Sequence, residues 1–321
     1  MSLANTKGVI WYDGDLVPWD EAKTHVLSHT LHYGMGVFEG VRAYNTAKGP
    51  SIFRLKAHTE RLFRSAHIMN MAIPFSYDQL ERAQQAVIKE NGLSEAYLRP
   101  MCFYGPGQLG LRTKNLKTHC IVAAWKWPSY LSSEALEKGI KIRTSSYVRH
   151  HVNTTLCKAK ANGNYMNSML ALREAIDSGC EEALLLDSEG YVAEGSGQNI
   201  FIVKADGILY TPQLTSCLEG ITRDTVMYFA KEIGLEVRET CLTRDDVYIA
   251  KEAFFTGTAT EIMPIREHDG RIIGTGKPGP ITRKLQKMYF DQVCDRQAVN
   301  PEWLTLVNNS ATEIDSHIKL F

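Results

Sequence analysis

Four short segments carry residue types whose spacing could do chemistry. The first is Cys157-Lys158-Ala159-Lys160-Ala161-Asn162-Gly163-Asn164-Tyr165-Met166, where two lysines sit among small and amide residues between a β-rich stretch and a helical pattern. A lysine held out of bulk water there loses proton affinity, and its amine becomes a nucleophile toward carbonyls. Composition does not choose between Lys158 and Lys160. The second segment, Glu194-Gly195-Ser196-Gly197-Gln198-Asn199, links two predicted strands, so its carboxylate can be aimed into a cleft while its glycines admit close backbone approach. The third, Gly220-Ile221-Thr222-Arg223-Asp224, opens a helical pattern. Free N–H groups and the helix dipole suit a phosphate at such a place. The fourth, Phe255-Thr256-Gly257-Thr258-Ala259-Thr260, is a turn able to donate hydroxyls and amides. Each alone is an ordinary turn; together they supply a nucleophilic amine, a carboxylate and a phosphate cradle.

Other motifs carry less. Gly105-Pro106-Gly107-Gln108-Leu109-Gly110 has dinucleotide-binding spacing. A polar stretch rather than a helical pattern follows it, and no acidic residue lies between Gly110 and Ser133, so it reads as a loop. Gly274-Thr275-Gly276-Lys277-Pro278 lacks the earlier glycine of a phosphate-binding loop and has proline where Ser or Thr would hold magnesium. His25, His29 and His32 fall at helical spacing without a carboxylate to complete a metal site, and no metal is expected. The seven cysteines form no Cys-x-x-Cys pair and read as reduced thiols.

The elements that must position these segments follow from pattern. Asp13-Gly14 between Val9–Tyr12 and Leu16–Trp19 predicts a hairpin. Leu55, Leu62, Ala66 and Met69 recur at helical spacing with Arg61 and Arg64 among them, and Ser76–Gln79 is a capping-box start to a second helix ending near Gly92. Tyr97–Tyr104 and Cys120–Trp125 read as strands, giving an α+β first domain. Farther on, Ile140–Val148 alternates like a strand, Tyr165–Asp177 reads as a helix closed by Gly179, and Ile221–Ile233 as a helix ended by Gly234. Close-set short strands between 183 and 210 predict an antiparallel meander. A chain of 321 residues exceeds what one core usually serves, and the expected division is a domain over 1–126, a linker over 127–137 and a domain over 138–321. The tail past Val307 is polar. Lys plus Arg and Asp plus Glu number 36 each, so no basic excess points to nucleic acid or an anionic membrane. No bilayer-length apolar run and no basic-then-apolar start appear, which leads to the expectation of a soluble, cytoplasmic protein.

At these residues the chain resembles a fold-type IV pyridoxal-phosphate enzyme, and most closely the bacterial branched-chain amino-acid aminotransferases, from about Trp11 to Val307. The markers are His32-Tyr33-Gly34, Val37-Phe38-Glu39-Gly40-Val41-Arg42, Tyr97-Leu98-Arg99-Pro100, Lys160 through Tyr165, Glu194 through Asn199, Gly220-Ile221-Thr222-Arg223 and Gly257-Thr258-Ala259-Thr260-Glu261-Ile262. The resemblance implies a two-domain α+β architecture like that of D-amino-acid aminotransferase, with a smaller N-terminal domain and a larger, β-rich C-terminal domain. It implies pyridoxal 5'-phosphate as cofactor, with Lys160 as the lysine that bonds it, Glu194 on the pyridine nitrogen, Tyr165 near the phenolic oxygen, and Arg61, Ile221, Thr222 and Thr258 around the phosphate. It places Tyr33, Phe38, Tyr97, Trp127 and Tyr130 around an apolar substrate side chain, Arg99 on the distal carboxylate of glutamate, and Tyr97, Thr258 and Ala259 at the α-carboxylate. The implied reaction is ping-pong transfer of the amino group between L-leucine, L-isoleucine or L-valine and 2-oxoglutarate, giving L-glutamate. A homo-oligomer built from dimers that share residues across the interface is expected by the same analogy. Arg112, Lys114 and Lys117 in the loop from Gly105 depart from the family pattern and could widen specificity toward acidic substrates. Within the fold, D-amino-acid aminotransferase and aminodeoxychorismate lyase chemistries are the alternatives, disfavoured by Tyr97-Leu98-Arg99-Pro100 and the aromatic wall.

Overall fold

A computed structural model describes residues 6–127 and 133–307. Tyr130, residues 128–132 of the expected linker and the tail past Val307 lie outside the described residues. Two sheets with flanking helices make a two-domain α+β architecture.

The first sheet is antiparallel, in the order Leu304–Leu306, Gly49–Phe53, Val41–Thr46, Ala96–Tyr104, Thr118–Trp125, Val9–Tyr12, Asp15–Pro18, with Gly36–Phe38 added to Ala96–Tyr104. The strand Leu304–Leu306 is contributed by the far end of the chain. Helices Leu55–Ile68 and Tyr77–Glu90 cover one face, burying Leu55, Leu62 and Ala66, and Leu80, Ala83 and Val87, against Val41, Ile52, Leu98 and Val122. The second of these helices begins at the expected capping box, in which the Ser76 hydroxyl accepts from Gln79 N–H and the Gln79 side chain accepts from Ser76 N–H.

The second sheet runs Val192–Gly195, Glu182–Leu186, Ile140–Thr144, Glu261–His268, Glu252–Gly257, Asn199–Val203, Leu209–Pro212, Val237–Thr240, with Arg271–Ile272 on the edge of Glu261–His268. The expected antiparallel meander is only partly present: Glu182–Leu186 pairs antiparallel with Val192–Gly195 and Asn199–Val203 with Leu209–Pro212, but Val192–Gly195 and Asn199–Val203 are not neighbours in the sheet. Ile140–Thr144 is parallel to both Glu182–Leu186 and Glu261–His268, and Leu209–Pro212 is parallel to Val237–Thr240. Parallel neighbours need a crossover. Helices Tyr165–Asp177 and Ile221–Glu232 supply two of them, so the sheet is mixed. The predicted strand from Ile140 stops at Thr144, where Glu174 takes the Ser145 hydroxyl (2.6 Å) and the Ser146 N–H (2.8 Å) and turns the chain away.

The two sheets meet in a shared core. Tyr44 and Phe53 of the first pack with Phe201 and Phe254 of the second and with Phe229, Leu285 and Tyr289 from two helices. Beside that core the chain stitches the domains with backbone hydrogen bonds: Phe38 N–H donates to Lys160 O (3.0 Å) and Gly163 N–H to Gly34 O (3.2 Å). The cleft that results holds the site.

Candidate active site

A cavity of about 460 Å³ opens between the domains. Lys160 enters it from a backbone gripped on both sides, because its N–H donates to Ser65 Oγ (3.0 Å) while its carbonyl accepts from Phe38. Its Nζ donates to Tyr165 Oη at 2.6 Å, and Tyr165 opens the helix that follows the 3₁₀ turn Asn162–Asn164. Asn164 fixes that approach by donating to the carbonyls of Leu156 and Ala159. Lys158 faces elsewhere: its Nζ donates to Leu214 O and pairs with Glu219 (3.4 Å). The choice that composition left open therefore falls on Lys160.

Glu194 lies on the buried strand Val192–Gly195, whose pairing slips between Val192 and Glu194. Its Oε1 pairs with Arg149 at 2.7 Å and its Oε2 accepts from Leu218 N–H at 3.2 Å. Burial pushes the Glu194 carboxyl up from its ordinary range and the Arg149 guanidinium opposes that rise. Beneath the following loop sits a second buried carboxylate. Glu182 accepts from Ala183 N–H, Ser196 N–H and Gln198 Nε2 and so fixes the Ser196–Gln198 wall of the cavity.

The end of the cavity around Arg61 is built from three elements. Helix Ile221–Glu232 starts at Gly220, which leaves its first N–H groups without partners inside the helix. Arg61, on helix Leu55–Ile68, is 4 % exposed and spends Nε and one terminal nitrogen on Glu39 (2.7 and 2.9 Å), the other on Glu219 O (2.8 Å). Glu39 also accepts from or pairs with His58 Nδ1 at 2.7 Å. Burial alone would raise the Glu39 carboxyl, but Arg61 and His58 hold it far below the usual carboxylate range, while burial keeps His58 low. The turn Thr258–Thr260, joining two antiparallel strands, closes this end.

On the side of the first sheet, Arg99 lies over the Phe38 ring (4.6 Å to its centroid) and within 3.5 Å of Tyr97 Oη. Gly40 makes this possible, since a Cβ there would stand 1.9 Å from Tyr97 Oη.

Of the residues singled out from the sequence, Lys160, Tyr165, Glu194, Arg61, Ile221, Thr222, Thr258, Ala259, Phe38, Tyr97 and Arg99 all line this cavity. Two others do not. Trp127 stands behind Tyr97, with ring centroids 4.9 Å apart, and Tyr33 is 42 % exposed on the short helix His29–Tyr33. Arg112, Lys114 and Lys117 are likewise absent from the lining, and Lys117 pairs with Asp13 (3.0 Å). The ring nitrogens Nε2 of His29 and His32 meet the carbonyls of Gly110 and Val26. Among the described residues no cluster of three or more metal-ligating side chains occurs. Sequence reasoning assigned no role to Arg149, Glu39 or Glu182. A buried charge announces itself only through its partner, and the partners here include distant ones: Ser196 is 14 residues from Glu182 and His58 is 19 from Glu39.

Comparison with known proteins shows the family. The family model described as Amino-transferase class IV matches residues 36–268. The chain is 62% identical over 307 residues to a branched-chain-amino-acid aminotransferase of Pseudomonas aeruginosa, covering 96% of this chain and 100% of that protein. It is 45% identical to the Escherichia coli K12 protein of the same name, over 93% of this chain and 97% of that one. Among solved structures, a T.th. branched-chain amino acid aminotransferase with pyridoxamine 5'-phosphate superposes with a TM-score of 0.92 at 48% identity, covering 94% of this chain and 99% of that one. The chain belongs to the class IV aminotransferase family.

Proposed function

We infer that the protein catalyses pyridoxal-phosphate-dependent transamination between branched-chain L-amino acids and 2-oxoglutarate, yielding branched-chain 2-oxo acids and L-glutamate. The observation that carries this reading is one cavity lined jointly by an amine (Lys160), a buried carboxylate paired with arginine (Glu194), and a helix start beside an arginine (Arg61, Ile221, Thr222). Those groups match the aldehyde, ring nitrogen and phosphate of the cofactor in chemical type and number. A further sign of fit is the Thr256 hydroxyl, buried in the wall and without a hydrogen-bond partner among the described residues.

When bound, the cofactor supplies an electron sink for the carbanion left when the substrate Cα loses its proton. The remaining work belongs to the chain. Lys160 Nζ would hold the cofactor, and its amine, when free, would take the proton from the substrate Cα. Tyr165 Oη, hydrogen-bonded to that amine, orients it. Glu194 would face the ring nitrogen and favour its protonation, while Arg149 opposes the rise that burial imposes on Glu194. Arg61, the N–H groups of Ile221 and Thr222, and Thr258 hold the phosphate. Phe38 and Tyr97 give the leucine, isoleucine or valine side chain an apolar wall. Arg99, tethered beside them, receives the distal carboxylate of glutamate, and Tyr97 with the amides of Thr258 and Ala259 takes the α-carboxylate.

The same reading gives a cytoplasmic homo-oligomer built from dimers, with a domain boundary at 127–137. Exposed Leu31, Tyr33, Leu111, Met166 and Met169 support the dimer, because Met169 lines the cavity while 70 % exposed and a second copy would cover it. Tyr33, outside its own chain's cavity, would then serve the neighbour's. No helix among the described residues is long and apolar enough to cross a membrane.

The test is the near-ultraviolet and visible spectrum of purified wild type and Lys160→Ala, before and after L-leucine. The wild type should show a visible cofactor band that shifts with L-leucine and not with D-alanine, and the variant should not respond. No band after addition of pyridoxal phosphate refutes the reading.

A further inference from the structure

We propose that Glu261, which does not line the cavity, is a positioning residue for the carboxylate-binding turn: it ties Thr258 and Ala259 to the first domain. The inference rests on the aminotransferase reading above and deepens it. Glu261 opens the strand Glu261–His268 directly after the turn, opposite Gly257 in the antiparallel pair. Its φ is +59°, a left-handed backbone that a side chain disfavours unless something holds it.

What holds it is a buried contact with the other sheet. Glu261 Oε1 accepts from Arg42 NH1 and from Tyr44 Oη, both at 3.0 Å, and both donors lie on the strand Val41–Thr46. Tyr44 Oη is in turn 3.2 Å from Tyr289 Oη on the helix Pro280–Val293, so the anchor is itself braced. The Glu261 side chain is only 6 % exposed, and water cannot substitute for these donors. On its other flank the turn rests against Gln198 and Gly197, which approach a Cβ built on Gly257 to 3.4 and 3.5 Å. The turn is thus fixed at one end by the cavity loop and at the other by Glu261. Phe38, Tyr97 and Arg99 belong to the first sheet, while Thr258 and Ala259 belong to the second. The Glu261 contact is a direct side-chain link between the turn and that sheet, and it sets the spacing across which one substrate must bind.

The experiment compares wild type with Glu261→Ala, Glu261→Gln, Glu261→Gly and Tyr44→Phe, each loaded with cofactor. It measures kcat and KM for L-leucine and 2-oxoglutarate, thermal midpoint, and pyridoxal phosphate affinity of the apoprotein by tryptophan fluorescence. Glu261→Ala should raise both KM values about ten-fold with kcat changed less than about three-fold, because uniform binding rather than chemistry is lost. Glu261→Gly, whose backbone is unstrained at this φ, should do the same, since the anchor and not the strain matters. Glu261→Gln keeps an acceptor oxygen and should return KM to near wild type, with Tyr44→Phe between the two. Cofactor affinity should weaken in Glu261→Ala, because Thr258 moves with the turn. A contact that merely joined the domains would lower the midpoint and leave KM alone, and that result overturns the proposal. If wild type transfers no amino group from leucine, the functional reading fails instead. The cofactor affinity of Glu261→Ala then decides the anchoring by itself, unchanged affinity refuting it.

Discussion

Replacing Glu39 by glutamine probes how the site holds its arginine. Glu39 has no exposed surface, and its two oxygens take Arg61 Nε (2.7 Å), the Arg61 terminal nitrogen (2.9 Å) and His58 Nδ1 (2.7 Å). An amide keeps one acceptor. If its oxygen takes the Oε2 position, the NH₂ faces the Arg61 Nε–H. In the opposite orientation it faces the other guanidinium donor. Either way a charge-assisted hydrogen bond of about 1.5–3 kcal/mol is lost. Arg61 also keeps a buried charge with no anionic partner, left to the Glu219 carbonyl and the amide oxygen, and breaking a buried pair in this way costs about 3–5 kcal/mol. That larger figure is the expected loss of stability for the cofactor-free variant. A bound phosphate dianion supplies the missing negative charge, so saturating pyridoxal phosphate should recover at least half of the deficit.

The assay is urea unfolding near pH 7.5 at one fixed protein concentration, with and without the cofactor. The acid limb adds a second readout. The Glu39 carboxyl titrates below its ordinary 4.5, so its contribution is present above that value and disappears as pH falls through the lower folded-state range. The glutamine variant should lose less stability than wild type over that acid interval. A cofactor-free variant within about 1 kcal/mol of wild type, against the 3–5 kcal/mol expected of a broken buried pair, would refute the reasoning, as would equal deficits with and without cofactor.

Two further outcomes follow from the site. Arg149→Met removes the cation that opposes the burial-driven rise of Glu194, so the acid limb of the kcat profile should move to higher pH, with KM for leucine changed less. A pH profile of kcat checks it, and an unchanged profile excludes the role. Gly40→Ala puts a Cβ 1.9 Å from Tyr97 Oη, and Trp125 and Trp127 at 5.3 and 4.9 Å limit where that ring can go. The expected loss is about 1–3 kcal/mol in a thermal melt, with a raised KM for leucine. Adding Tyr97→Phe, which removes the clashing oxygen, should restore part of the stability.

Much of the local structure was written in the sequence. Ser76 and Gln79 announced a helix start, Gly179 and Gly234 announced helix ends, and both glycines sit at positive φ just past their helices. These signals act over three or four residues, where backbone sterics and capping decide the outcome with little help from the rest of the chain. The lysine, the carboxylate and the phosphate cradle were also legible as residue types at turns, because each turn carries its own glycine or hydroxyl chemistry. Composition stopped short at Lys158 against Lys160, since both have the same neighbours in sequence. The tertiary structure separates them by gripping the Lys160 backbone with Ser65, 95 residues away, while Lys158 is drawn to Glu219. Arg149 and Glu39 had no assigned role for the same reason: the charge that justifies burying each comes from a partner outside its own helix turn or strand. The mixed second sheet belongs here too, because alternation marks a strand without saying which neighbour it pairs with. Period and caps are fixed by short-range sterics, whereas partners, register across domains and the electrostatic balance of a buried site exist only once distant segments pack together.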